Sequence, residues 1–155
     1  MYKILIALAL STLLISCGTD TGNPGVVQSN DGFDQSGGLA THSTMVVTSV
    51  CKILVSCNAG LTKEICTVEV NAREDMVSTL GLSKEEFATL EEVKKAEMDK
   101  SLNTNQDKAK ICLVDIQSLA CVDEQVVNAF DLESDQPFSN VETIVPEICL
   151  KSYTL

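Results

Sequence analysis

Residues 44–57 read TMVVTSVCKILVSC, and the spacing within this stretch decides the fold. Val47, Val50, Cys51 and Leu54 recur at i, i+3, i+4 and i+7, which makes one stripe of a helix apolar. The β-branched content would also suit a strand, so the neighbouring segments arbitrate. Asn58-Ala59-Gly60 marks a turn. Thr62 then stands where it can cap a second helix, whose apolar set is Ile65, Val68, Ala72, Met76 and Leu80 and whose terminator is Gly81. Ser83-Lys84-Glu85-Glu86 has the form of a capping box, with Leu82 and Phe87 as its hydrophobic staple. It predicts a third helix to about Lys100, in which Glu91 is spaced to pair with Lys95.

Ser101 to Asn105 is a polar break. A fourth helix follows, with Ala109, Cys112, Leu113, Ile116, Leu119 and Ala120 on one broad face. Asp123 is placed to cap a short fifth helix through Phe130, stapled by Val122 and Val127. Residues 131–140 read as an acidic loop, Asn140 to Val145 as a last turn before Pro146, and Cys149 lies just beyond. Residues 44–155 are thus expected to form an all-α domain, a small disulfide-stapled bundle of four to five helices.

The composition excludes several classes. The chain has 155 residues, with 11 Lys+Arg against 22 Asp+Glu and a net charge of −11, a balance that a phosphate backbone would repel. Apolar residues make up 45% of it, too many for a disordered polymer, and the length suits one domain. No Cys-x-x-Cys, Gly-x-Ser-x-Gly, His-Glu-x-x-His or phosphate-cradling loop is present, so neither an enzyme, a cofactor nor a metal is expected. The lone histidine, His42, has Thr and Ser for neighbours; a helix-flank or solvent-exposed side chain is the reading preferred over a ligand or general base. The acidic pairs Glu85-Glu86, Glu91-Glu92 and Asp123-Glu124 read as solvated first-turn carboxylates rather than an acid/base dyad. Asp-rich residues 131–135 lack the spacing of a calcium loop.

The N-terminus carries an address. Lys3 supplies one positive charge, and Ile4 to Ile15 is an apolar run broken only by Ser11 and Thr12. Twelve residues fall short of the about 20 that a membrane-crossing helix needs, so the run reads as the apolar region of a signal peptide over residues 1–16. Leu14-Ile15-Ser16-Cys17 resembles the lipobox of bacterial lipoproteins. That resemblance implies cleavage before Cys17 and acylation of its thiol and amine, giving an anchor of two or three chains in the lipid bilayer. By the sorting rule of that family, Gly18 rather than Asp after the lipidated residue implies transfer to the outer membrane, with the face unassigned. Residues 17–43 hold six of the eight glycines and read as a disordered tether with a reach of roughly 28 Å. Thr21-Gly22-Asn23-Pro24-Gly25 is similar to a stretch after the lipidated cysteine in a group of uncharacterised bacterial lipoproteins, a likeness that implies no activity.

Six cysteines remain in an exported chain once Cys17 is lipidated: Cys51, Cys57, Cys66, Cys112, Cys121 and Cys149. An even number outside the cytoplasm reads as three structural disulfides. They would compensate for a core with few large aromatics, chiefly Phe87, Phe130, Phe138 and Tyr153. Cys57 and Cys66 flank the Gly60 turn, which favours a local bridge. Cys51–Cys112 and Cys121–Cys149 join the remaining elements most simply, and a Cys112–Cys121 bridge would require the fourth helix to end well before Cys121. Two function classes survive. The first is a non-enzymatic envelope lipoprotein with structural or protein-interaction duty. The alternative is an inhibitor or immunity protein whose acidic surface binds a basic protein such as a cell-wall hydrolase or toxin.

Overall fold

The computed structural model describes residues 41–154, and the expected leader, Cys17 and most of the tether lie outside them. The described residues are mostly helical, as expected, with six α-helices, two 3-10 turns and one two-residue strand pair. Helix α1 spans His42–Cys57, starting two residues before the predicted boundary because Thr41 caps it, its hydroxyl accepting from the Thr44 amide at 3.3 Å. Thr44, Thr48, Lys52 and Ser56 form its one solvent row, spaced four apart, while Val46, Val47, Val50, Cys51, Ile53 and Leu54 are all buried. The buried arc is therefore wider than the predicted stripe. Helix α1 is the central element and packs against α2 (Lys63–Ala72), α4 (Leu90–Met98) and α5 (Gln106–Gln117).

The predicted second helix is two. Thr62 caps α2 as expected, accepting from the Ile65 amide at 3.3 Å, but the helix ends at Ala72, and α3 (Glu74–Thr79) starts again beyond Arg73. An extended Arg73 (φ −81°, ψ 115°) rotates the second half relative to the first. One apolar stripe cannot then continue through both. Cys66 and Val70 face inward from α2, whereas Ile65 and Val68 are 52% and 67% exposed, a reversal of their expected placement. Met76 and Leu80 are buried as predicted. Gly81 ends the segment at φ 77°, in the left-handed region that favours glycine, and a Cβ there would meet the Leu150 carbonyl oxygen at 2.0 Å. The residue is thus specified twice, by its own backbone and by that of the C-terminal segment.

Ser83 does not begin a helix. Its carbonyl accepts from the Glu86 and Phe87 amides at 3.1 and 3.0 Å, closing one turn, and the Ser83 hydroxyl turns to Glu85 rather than Glu86. Helix α4 starts six residues later, where Thr89 accepts from the Glu92 amide at 3.4 Å and the Glu92 carboxylate accepts from the Ala88 amide at 2.7 Å. Both Ser83 and Thr89 stand three residues before a Glu; only the second precedes side chains that bury one face, Leu90, Val93 and Ala96. Glu91 pairs with Lys94 at 3.0 Å, one position short of the expected Lys95.

Asn105 caps α5, and Ala109, Cys112 and Ile116 form its buried face with Leu113 and Leu119 half-buried, while Ala120 lies exposed beyond the helix end. Helix α6 (Glu124–Ala129) lies within the expected range and buries Val126 and Ala129. Its predicted staple is absent. Val122 and Val127 are 85% and 59% exposed, and the Asp123 carboxylate accepts from the Ala120 amide at 2.7 Å rather than from α6. The last turn falls where predicted, at Val141–Ile144, and a second 3-10 turn, Glu147–Lys151, carries Cys149. Asn103–Thr104 (β1) and Tyr153–Thr154 (β2) pair antiparallel in register Asn103↔Thr154, an element without a sequence signal.

All six cysteines of the domain are in disulfides, but none of the three expected pairings occurs. The bridges are Cys51–Cys66, Cys57–Cys121 and Cys112–Cys149, with Cα separations of 5.7, 5.3 and 4.9 Å. Cys66 lies one turn into α2, on the face that packs back along α1, so it meets Cys51 within the core rather than Cys57 at the turn. Because α5 stops at Gln117, Cys121 is free of the helix and reaches the end of α1. Cys112 remains on the inward face of α5 and meets Cys149 on the packed C-terminal turn.

Two outcomes follow. Peptide mapping without reduction should recover these three pairs, and intact mass should rise by about 6 Da on reduction, one hydrogen per bridged cysteine. Gly81→Ala should cost about 1–3 kcal/mol in denaturant unfolding. That loss should exceed the loss from Gly60→Ala, where φ is also positive (98°) but no atom lies within 4 Å of an added Cβ. Equal losses would show that the approach of Leu150 is not a constraint.

Candidate functional site

The densest buried polar cluster among the described residues lies at the start of α1. A helix begins with amides that have no partner inside it, and a carboxylate is their strongest acceptor. Glu97, from the last turn of α4, provides one. Its Oε1 accepts from the His42 amide at 2.8 Å, and its Oε2 accepts from the Ser43 amide at 3.2 Å and from the Ser43 hydroxyl. Thr104 of β1 donates to the same carboxylate at 3.4 Å. The strand pair brings Tyr153 alongside, its ring 5.7 Å from that of His42 at a 60° tilt. Four elements, α1, α4, β1 and β2, therefore meet around one carboxylate.

His42 is buried, at 3% exposure, which contradicts a solvent-exposed reading and agrees with a helix-flank position. Neither of its ring nitrogens has a hydrogen-bond partner, nor do the Ser152 and Tyr153 hydroxyls. Burial lowers the His42 pKa from 6.5 to about 4, so the ring is neutral at neutral pH. Burial, and next the Glu97 carboxylate, raise that of the Tyr153 phenol.

A Ser–His–acid arrangement is not formed from these side chains. The Ser43 hydroxyl donates to Glu97 and not to the imidazole, and both Ser43 and His42 are shut off from solvent. The cluster is built to hold backbone.

The acidic pairs serve local structure. Glu85 is held below the usual carboxylate range by the Ser83 hydroxyl, Glu91 pairs with Lys94, and Glu92 and Asp123 accept backbone amides. Asp131 accepts from the Glu133 amide at 3.0 Å in the acidic loop. Among the described residues, no group of three or more His, Cys, Asp or Glu side chains is placed to hold a metal ion, and no helix is long and apolar enough to cross a membrane. Sequence reading missed Glu97, Ser43, Thr104 and Tyr153 as partners, since 55 residues separate Glu97 from His42 and no local pattern links them.

No protein-family model, curated protein or solved structure matches the chain.

The buried imidazole makes acid stability predictable in sign. The folded pKa lies below the unfolded one, so the unfolded chain takes up the proton first as pH falls. Stability should be unaffected by His42 above about pH 6.5 and decline from there toward pH 4, with a slope of up to about 1.4 kcal/mol per pH unit. His42→Phe keeps the ring and removes the titration. Its unfolding free energy, measured against pH, should run parallel to that of the native protein above pH 6.5 and diverge below; parallel curves throughout would refute the assignment.

Proposed function

We propose that the protein is a non-enzymatic lipoprotein of the cell envelope, held to the outer membrane through acylated Cys17, whose helical domain is a structural or protein-interaction module. One observation carries this reading. The chain has seven cysteines, and the six of the domain pair entirely among themselves, so Cys17 is the one that the bridges do not use. It stands at the end of the apolar leader, where a lipobox would place the acceptor thiol. Three bridges also favour an oxidising compartment, where a signal peptide would deliver the chain.

The non-enzymatic half of the reading is supported by the fate of the polar groups. The lone histidine is buried and neutral, and the hydroxyl beside it is engaged by a carboxylate. General acid/base work requires a titratable group within hydrogen-bond reach of substrate, and this cluster offers no such access.

Metabolic labelling with palmitate tests the anchor. The native protein should take up label and sediment with membranes, and Cys17→Ser should lose the label and shift to the soluble fraction. Membrane association and labelling that survive the substitution would overturn the proposal.

A further inference from the structure

From Ile111 to Leu150 the chain carries eight of its 22 acidic side chains and none of its 11 basic ones. The same tract holds three of its most exposed large apolar side chains, Val122 at 85%, Leu132 at 68% and Val127 at 59%. Val122 and Val127 occupy the positions before and after the N-cap of α6 that ordinarily close on each other, yet both stand open to solvent. Leu132 lies just past the other end of this helix, which is only about 9 Å long. Asp123 and Glu124 adjoin the valines, and Asp131 and Glu133 flank the leucine.

The surface is also held in place from both sides. Cys57–Cys121 ties the residue before Val122 to the end of α1, and the Asn140 side chain donates to the Asn128 carbonyl at 3.4 Å. Apolar side chains displayed on a fixed frame lose little entropy when covered.

We infer that this surface, α6 with its two flanking loops, docks a basic polypeptide segment that presents apolar side chains among its lysines or arginines. Charge selects that occupant. A second copy meeting it through the same face would bring acidic tract against acidic tract, with Arg73 at the Ser139 carbonyl already paired to Asp75, and an anionic lipid surface would be repelled in the same way. A basic segment gains from the surrounding carboxylates while its apolar residues cover the two valines and the leucine. The inference rests on the reading of the domain as an interaction module and names the part of it that would interact.

The test uses the full chain as cells make it, kept in non-ionic detergent with detergent alone as the blank. The probe is a fluorescent helical peptide of lysine and leucine, with leucines at i, i+3, i+4 and i+7; its counterpart has serine for every leucine and the same charge. Anisotropy titration should show binding of the leucine peptide, with the serine counterpart about tenfold weaker, and affinity should fall as salt rises from about 50 to about 500 mM. Val122→Ser with Val127→Ser should lose about tenfold in affinity for the leucine peptide. Both valines are exposed, so folding should be unaffected. Ile65→Ser with Val68→Ser, on the exposed face of α2, should change nothing. Equal affinity for the two peptides, equal losses from the two variants, or no binding at low salt would each overturn the inference. The palmitate experiment reads the anchor separately: binding with no label would sink the anchor alone, and label with no binding would sink the docking surface alone.

Discussion

Helix α1 has to be dry along all but one row of its surface, and the rest of the domain is arranged to meet that demand. Four valines with Ile53, Leu54 and Met45 make it a poor helix former in water, since β-branched side chains lose rotamer freedom in a helix. Burial reverses the balance, because each apolar side chain removed from water contributes about 1.5–3 kcal/mol. Helices α2, α4 and α5 provide the cover. With no Trp in the chain and few aromatics, the cover is made of aliphatic side chains such as Val70, Leu90, Val93 and Ile116, and the disulfides Cys51–Cys66 and Cys57–Cys121 tie α2 and the segment after α5 directly to α1.

Glu97 solves the same problem at the helix end. A buried N-terminus leaves amides without water, and a carboxylate from α4 replaces it while joining the start of α1 to β1, which in turn pairs with the C-terminal strand. That junction also shields His42, whose neutral ring packs on Tyr153 with no polar partner.

What could be read from the chain was local. The cap at Thr62, the range of α6, the stop at Gly81, the turn before Pro146 and the inward faces of α1 and α5 follow from neighbours a few residues away. The even cysteine number predicted full pairing, but partners depended on where helices stop, and the end of α5 at Gln117 is not written in its apolar spacing. Arg73 shows the same limit: one extended residue inside a helical pattern exchanged the faces of α2, burying Cys66 and Val70 and exposing Ile65 and Val68. Ser83 and Thr89 carry equivalent local motifs, and tertiary burial of Leu90 and Val93 chose between them. The Glu97 cluster left no trace in the sequence because every member except Ser43 and His42 comes from a different segment.

The three bridges interleave. Each begins before the previous one ends, in the order 51, 57, 66, 112, 121, 149. Any single backbone scission between Cys51 and Cys149 therefore falls inside at least one closed loop, and both halves stay covalently joined. A protease that nicks the exposed 131–137 loop would leave a domain of unchanged mass apart from one added water, still attached to everything upstream of it. Were the chain anchored through Cys17 as proposed, a nicked domain would stay on its anchor rather than be shed.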